Sequence, residues 1–468
     1  ASGAGRAWNS PYETTAAGPA SKEWRRRTRD GYAAAMETLI KKLVNVRSGE
    51  IRALLWSFAY FFFLLSTYYM LLPLRDAMGI EGGTRDLPWL FAATLVATLI
   101  TAPLQAAVAA RLPRKAFVPV IYLFLVTNML VFWLLLRAGV APVAVARAFF
   151  VWITVFSVFT VSVFWSFQAD LYTSEQSKRL FGFIGAGGSV GAILGPAITR
   201  YLVEPIGIAN LLLVSSGMLI LAVLCAGRLE TAAQAAREAD PDFKAASADR
   251  QKNVGGGMFE GFSLLFKSSY LGGIGLWVFM LSFAGTMLYF VQAEVVAAYT
   301  ADTGQRTQIF ATIATWVGII SLVMQLTATG RIIPAIGVGK AAALLPLVFV
   351  LGFAALALAP VLFVVAAFQA AQRGTNFGIS NLARESLWTV VNRNEKFKAK
   401  NIVDGTVFRA ADALNAQVFN LFSKVMALSV PVIAVISAVL AGGWLLLSLW
   451  LGKTQEQRAA GQAQEKAP

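Results

Sequence analysis

From Ile51 to Leu74 the chain runs for about two dozen residues with one charge, Arg52, near the start, and then sets Arg75 and Asp76 side by side. At about 1.5 Å of rise per residue, a helix of that length crosses the ~30 Å hydrocarbon layer of a bilayer. Backbone N–H and C=O groups find no water there, so each must be satisfied inside the segment, and a helix does this. Further apolar stretches follow at approximately 87–110, 116–136, 143–168, 180–203 and 207–226. After a charged interval they resume at approximately 270–299, 307–330, 339–359, 361–383, 401–425 and 428–452. The pattern predicts an all-α membrane protein with about twelve transmembrane helices. Composition agrees: 14% of residues are charged, against about 25% in soluble chains.

The same composition removes several functions. There is no histidine and one cysteine, Cys225. Histidine-ligated metals, haem, Ser-His triads and cysteine clusters are therefore excluded, no cofactor is expected, and no enzymatic constellation is visible. The formal charge of +15 falls mainly in loops and termini, where it suits anionic lipid headgroups rather than nucleic acid.

Those loop charges also orient the chain. Arg111, Arg114 and Lys115, then Lys178 and Arg179, Arg331 and Lys340, and Arg393 to Lys400 all follow even-numbered spans. The positive-inside rule places that side, both termini and the central connector in the cytoplasm. Residues 1–50 read as a disordered stretch and a basic amphipathic segment lying on the membrane. The six-helix halves are 51–227 and 269–453, with a cytoplasmic connector at 228–268 and a polar tail at 454–468. The polar, basic N-terminus does not read as a cleavable signal peptide.

The halves echo one another. Glu175-Gln-Ser-Lys178 opens the fifth span with Gly185 inside it, and Glu395-Lys-Phe-Lys398 opens the eleventh with Gly405 at the matching offset. Two parallel six-helix halves resemble the major facilitator superfamily, with a cavity between them. The stretch Gly330-Arg331 to Gly339-Lys340 is similar to that superfamily's basic, glycine-rich gate loop. Arg331, Lys340, Glu175, Lys178, Glu395 and Lys398 are accordingly expected to be gating or structural residues. The glycines of span 5, from Gly182 to Gly195, favour close helix packing over a phosphate loop, which would need a strand–loop–helix context with a following lysine.

A charge in lipid costs about 2.5–3.5 kcal/mol on insertion scales, so such charges usually face a wet cavity or a partner. Arg75 and Asp76 end span 1, Glu294 lies late in span 7, and Arg409 and Asp412 share a face of span 11 at i, i+3 spacing. Arg384 and Glu385, near the cytoplasmic end of span 10, read as an ion-paired latch. For Arg75, Glu294 and Arg409 both a cavity-facing role and a structural one fit the sequence. Arginine suits phosphate or carboxylate, because its planar fork bonds them bidentately.

Four stretches resemble the ATP:ADP antiporter family of nucleotide transporters. They are Leu74-Arg75-Asp76 with Gly82-Gly83-Thr84, then Phe164-Trp165 to Asp170 with Glu175 to Gly182, Gln292-Ala-Glu294-Val295, and Ser386-Leu387-Trp388 to Asp404. Arg75 stands where the family has lysine, and Ala297-Ala298 where a lysine follows the glutamate. The resemblance implies a bacterial inner-membrane carrier of an anionic, phosphorylated metabolite, with ATP/ADP exchange as its specific form. Expected substrate contacts are Arg75, Asp76, Tyr69, Trp165, Glu294 and Arg409, in a monomer whose partners are the solute and the bilayer. The alternatives are proton-coupled transport of another solute, with Glu294 or Asp76 titrating, and a non-transporting scaffold whose N-terminal helix docks a partner protein.

Overall fold

The structure is a computed structural model describing residues 46–111, 114–239, 265, 267–327, 332, 335–392, 395, 399–400 and 402–465. The N-terminal amphipathic segment, most of the connector, Arg331 and Lys398 lie outside the described residues. Nine helices among the described residues are long and apolar enough to cross a membrane. The first four are α1 (Ile51–Gly79), α2 (Leu87–Arg111), α3 (Arg114–Arg137) and α4 (Pro142–Leu171). A single helical run, Ser174–Ala239, turns back at Gly207, whose φ of 78° and ψ of 164° are non-helical. Only glycine takes that conformation cheaply, two residues after Pro205, so the run is two spans, α5 (174–206) and α6 (208–239).

In the second half, α7 (Ser269–Tyr299), α8 (Thr303–Thr327), α9 (Val338–Leu358) and α12 (Val430–Glu465) are continuous. The Ser268 hydroxyl caps α7 by accepting from the Leu271 amide at 3.4 Å. The two remaining spans are interrupted. α10 (362–387) is an α-helix of 14 residues, Leu362–Thr375, followed by a π turn at Asn376–Ser380 and the short helix Asn381–Leu387. α11 (402–425) has π turns at Ile402–Val407 and Leu421–Val425 around Phe408–Asn420. Their broken α-geometry and polar content keep both out of the nine, and they complete the expected twelve.

Each half buries its own core. Leu54, Tyr60, Tyr122, Phe149, Phe164 and Leu212 belong to the first. The second is built on Trp277, Phe290, Phe349, Trp388 and Trp444, and it also takes in Ile80, Leu87, Leu90 and Phe150 from the first half. The apolar core is therefore continuous across the seam at the α1–α2 end. The seam itself is lined by α1 and α5 against α8, and by α2 against α11.

The glycines of α5 explain how close the helices come. A Cβ on Gly187, Gly191 or Gly195 would stand 2.5, 2.6 or 2.7 Å from the carbonyl oxygens of Phe58, Phe62 and Ser66. Backbone lies against backbone, as small residues allow. The gate-loop residue Gly339 does the same with Gly452, where α9 crosses α12.

Candidate functional site

Pro73 and Leu74 carry α1 into Arg75 and Asp76 near its C-terminal end. The Arg75 guanidinium donates to Asp76 Oδ1 twice, from Nε at 2.9 Å and Nη2 at 2.6 Å. The Tyr289 phenol, from α7, donates to the same oxygen at 3.0 Å. The guanidinium lies 4.9 Å from the centre of the Phe150 ring and 5.8 Å from that of Tyr289, a cation–π arrangement on both sides. The half-buried pair thus has its charge balanced internally and is tied across the seam.

Two cavities meet at this cluster. The first, about 360 Å³, runs from Arg75 and Asp76 past Tyr69 and Gly188 toward Phe61 and Gln325, away from the α1–α2 end. The second, about 330 Å³, lies among α2, α4, α7 and α11, and contains Thr94, Thr154, Arg409 and Asp412. Arg75, Tyr289, Gln369, Arg373 and Phe377 line both. Each volume sits near the low end of the ~300–1,000 Å³ typical of small-molecule sites.

Arg373 is the residue that the sequence reading missed. It is exposed within the protein, lines both cavities, and has no ion pair within 4 Å among the described residues. Its helix is held by a glutamine chain: Gln369 donates to Gln292 of α7, and Gln372 donates to Gln369 at 3.1 Å. Arg373 was visible as a charge between polar Gln372 and Asn376 inside an apolar span, the same signal that singled out Arg75.

The other expected contacts divide. Arg75, Asp76 and Tyr69 line the first cavity, and Arg409 lines the second. Glu294 and Trp165 line neither. Glu294 lies close enough to Lys424 of α11 to act on its charge. Trp165 is packed among Phe61, Phe164 and Phe181.

The residues expected to gate or brace the halves have the following surroundings. Glu175 is 3.7 Å from both Arg47 and Arg179. Buried Glu50 accepts from Arg179 at 3.1 Å, from the Gln176 amide at 2.7 Å and from the Arg47 backbone amide at 3.0 Å. Burial alone would raise the Glu50 carboxyl, but these donors outweigh it and hold the group below its ordinary range. Arg384 pairs with Asp404 at 3.5 Å, and Lys400 pairs with Glu385. Lys340 is exposed and Glu395 half-buried; the Lys178 side chain lies outside the described residues.

At the α1–α2 end the halves are bonded directly. Arg306, almost fully buried, donates to the Ile80 carbonyl at 3.2 Å and to its own half's Thr300 carbonyl at 2.8 Å. Gln417 donates to the Pro88 carbonyl at 3.2 Å, Thr303 to Glu81, and Lys424 to the Arg85 carbonyl. Side chains of the second half thereby bond the segment from Ile80 to Pro88 that joins α1 to α2.

This pattern of paired halves, a seam cavity and one sealed end is a carrier fold. Residues 89–387 match the family model described as Major Facilitator Superfamily. The match spans more than half of the chain, which belongs to that superfamily. No curated protein matches the sequence. Among solved structures, a mutant of the nucleoside transporter NupG is similar at a TM-score of 0.63 and 12% identity, over 85% of this chain and 99% of that one. A POT family transporter in complex with 5-aminolevulinic acid follows at 0.57 and 11%, over 86% and 96%. A bacterial homolog of the human lysosomal transporter Spinster, inward-facing and unoccupied, gives 0.51 and 13%, over 88% and 99%. At these identities the likeness is one of fold.

Proposed function

We propose that this chain is a secondary transporter that moves a small anionic, phosphorylated solute by alternating access. The observation that carries the reading is Arg373. A guanidinium that faces two cavities within the bundle, with no counter-ion among the described residues, is unfavourable unless an anion completes it. Arg75 supplies a second cation once its bond to Asp76 is exchanged for one to the solute, and Arg409 a third. Tyr69, Tyr289 and Phe377 offer aromatic faces to a base, and Gln292, Gln325 and Gln369 offer amides to its polar edge. Exchange of ATP for ADP is the specific form suggested by the family resemblance. The carrier would sit in a bacterial inner membrane with both termini in the cytoplasm.

Liposomes containing the purified protein and preloaded with ADP test this form. Labelled ATP should enter wild-type vesicles, and Arg373→Gln should lower the initial rate about 10- to 100-fold. That range corresponds to the loss of one charge-assisted hydrogen bond of about 1.5–3 kcal/mol. Absence of nucleotide uptake by the wild type would remove the nucleotide form. A second reading, transport coupled to protons, is favoured by where Asp412 lies.

A further inference from the structure

Asp412, on α11, is the one carboxylate among the described residues that line the second cavity. The Ser282 hydroxyl of α7 donates to its Oδ1 at 2.6 Å, and the Asn415 amide donates to Ser282 at 3.3 Å. Asn415 is 1% exposed, and its carbonyl oxygen has no hydrogen-bond partner. It lies three residues beyond Asp412 on the same helix face. A protonated carboxyl gains one O–H donor, and an orphaned acceptor is what such a donor needs.

Among the described residues that line this cavity, the other charged groups are all cationic. Its own helix supplies Arg409, α1 supplies Arg75 and α10 supplies Arg373, while Tyr289 of α7 is a neutral phenol. The α2 and α4 walls contribute Phe91, Thr94, Thr98, Phe150 and Thr154, none of them titratable near neutrality. Asp76 lines the other cavity and is held by Arg75 and Tyr289.

We propose that Asp412 is the proton-binding site of this carrier, and that it takes up its proton when an anion neutralises the arginines beside it. The linkage to an anion rests on the anion reading of Arg373 given above. With the arginines bare, their charge favours the carboxylate. With an anion on Arg373 and Arg409 that preference is cancelled, the carboxyl binds a proton, and its new O–H donates within the buried cluster. Linkage makes the effect reciprocal: a proton on Asp412 leaves the arginines to the anion and tightens its binding, by about 5- to 150-fold for couplings of ordinary size. Anion and proton then cross together.

The test needs no transported solute. Infrared difference spectra of the full chain in lipid nanodiscs, recorded across pH, should show a protonated-carboxyl band that titrates. It should persist in Asp76→Asn and vanish in Asp412→Asn. Neutralising a cation imitates the bound anion, so Arg409→Gln and Arg373→Gln should each bind the proton about tenfold more tightly, a displacement of about one pH unit. Arg409→Lys should titrate as the wild type does. A band that survives Asp412→Asn overturns the assignment. Titration of both glutamine variants at the wild-type midpoint overturns the coupling. Neither result depends on nucleotide uptake, so failure of the nucleotide reading remains distinguishable.

Discussion

The Tyr289 phenol donates to the Asp76 carboxylate at 3.0 Å and so joins α7 of one half to the last turns of α1 in the other. A hydrogen bond to a charged group contributes about 1.5–3 kcal/mol. Tyr289→Phe removes this bond and leaves Asp76 with Arg75. Spin labels on the α1–α2 and α7–α8 turns should then report a roughly 10- to 100-fold larger population of separated halves. An unchanged distance distribution would show that the bond does not restrain the seam.

Arg306 gives a second prediction. It is nearly buried and bonds the Ile80 carbonyl across the sealed end. Arg306→Gln should open that end. With Cys225 first replaced by alanine, a cysteine at Thr94 in the second cavity should react several-fold faster with a small polar maleimide. Equal rates in the two backgrounds would place the seal elsewhere.

The glycine stripe of α5 predicts a contrast within one helix. In Gly191→Ala the new Cβ would meet the Phe62 carbonyl at 2.6 Å, while nothing stands within 4 Å of a Cβ on Gly182. Backbone cannot yield as a side chain can, so Gly191→Ala should cost about 1–3 kcal/mol. Gly182→Ala should be neutral or stabilising by up to about 1 kcal/mol. Thermal unfolding in detergent compares the two, and equal midpoints would refute backbone contact.

Glu50 predicts a dependence on pH. Its folded-state carboxyl is held below the ordinary range by Arg47, Gln176 and Arg179. The unfolded group, at about 4.3, takes protons first as pH falls. The contribution of the charged carboxylate is therefore complete above that value and is lost as pH falls through the lower folded value. Wild-type stability should decline across this acid window, and Glu50→Gln should flatten that part of the profile. A decline of the same size in the variant would assign it to other carboxylates.

Much of this was legible in the sequence because a bilayer reduces folding to a few physical conditions. Length and apolar content mark the helices, and a charge inside a span marks the site, which is how Arg75, Asp76 and Arg409 stood out. Arg373 met the same condition inside the span 361–383 and was passed over. Azimuth was not legible. Depth alone made Glu294 look equivalent to Asp76, yet its side chain lies outside both cavities, near Lys424. The glycines of α5 announced close packing, whereas their partner, the Phe58–Ser66 face of α1, emerged only from the fold.

The π turns of α10 and α11 have a mechanical consequence. Each carries one residue more than α-geometry needs. Such a surplus is slack in a shaft: passed along it, the surplus rotates everything beyond by about 100°, one residue's share of a 3.6-residue turn. Arg373 lies a few residues before one of these turns, and Arg409 and Asp412 lie between the other two. Migration of a π turn along either helix would therefore re-aim the charges that line the cavities by rotation, with no change in the number of residues in the span.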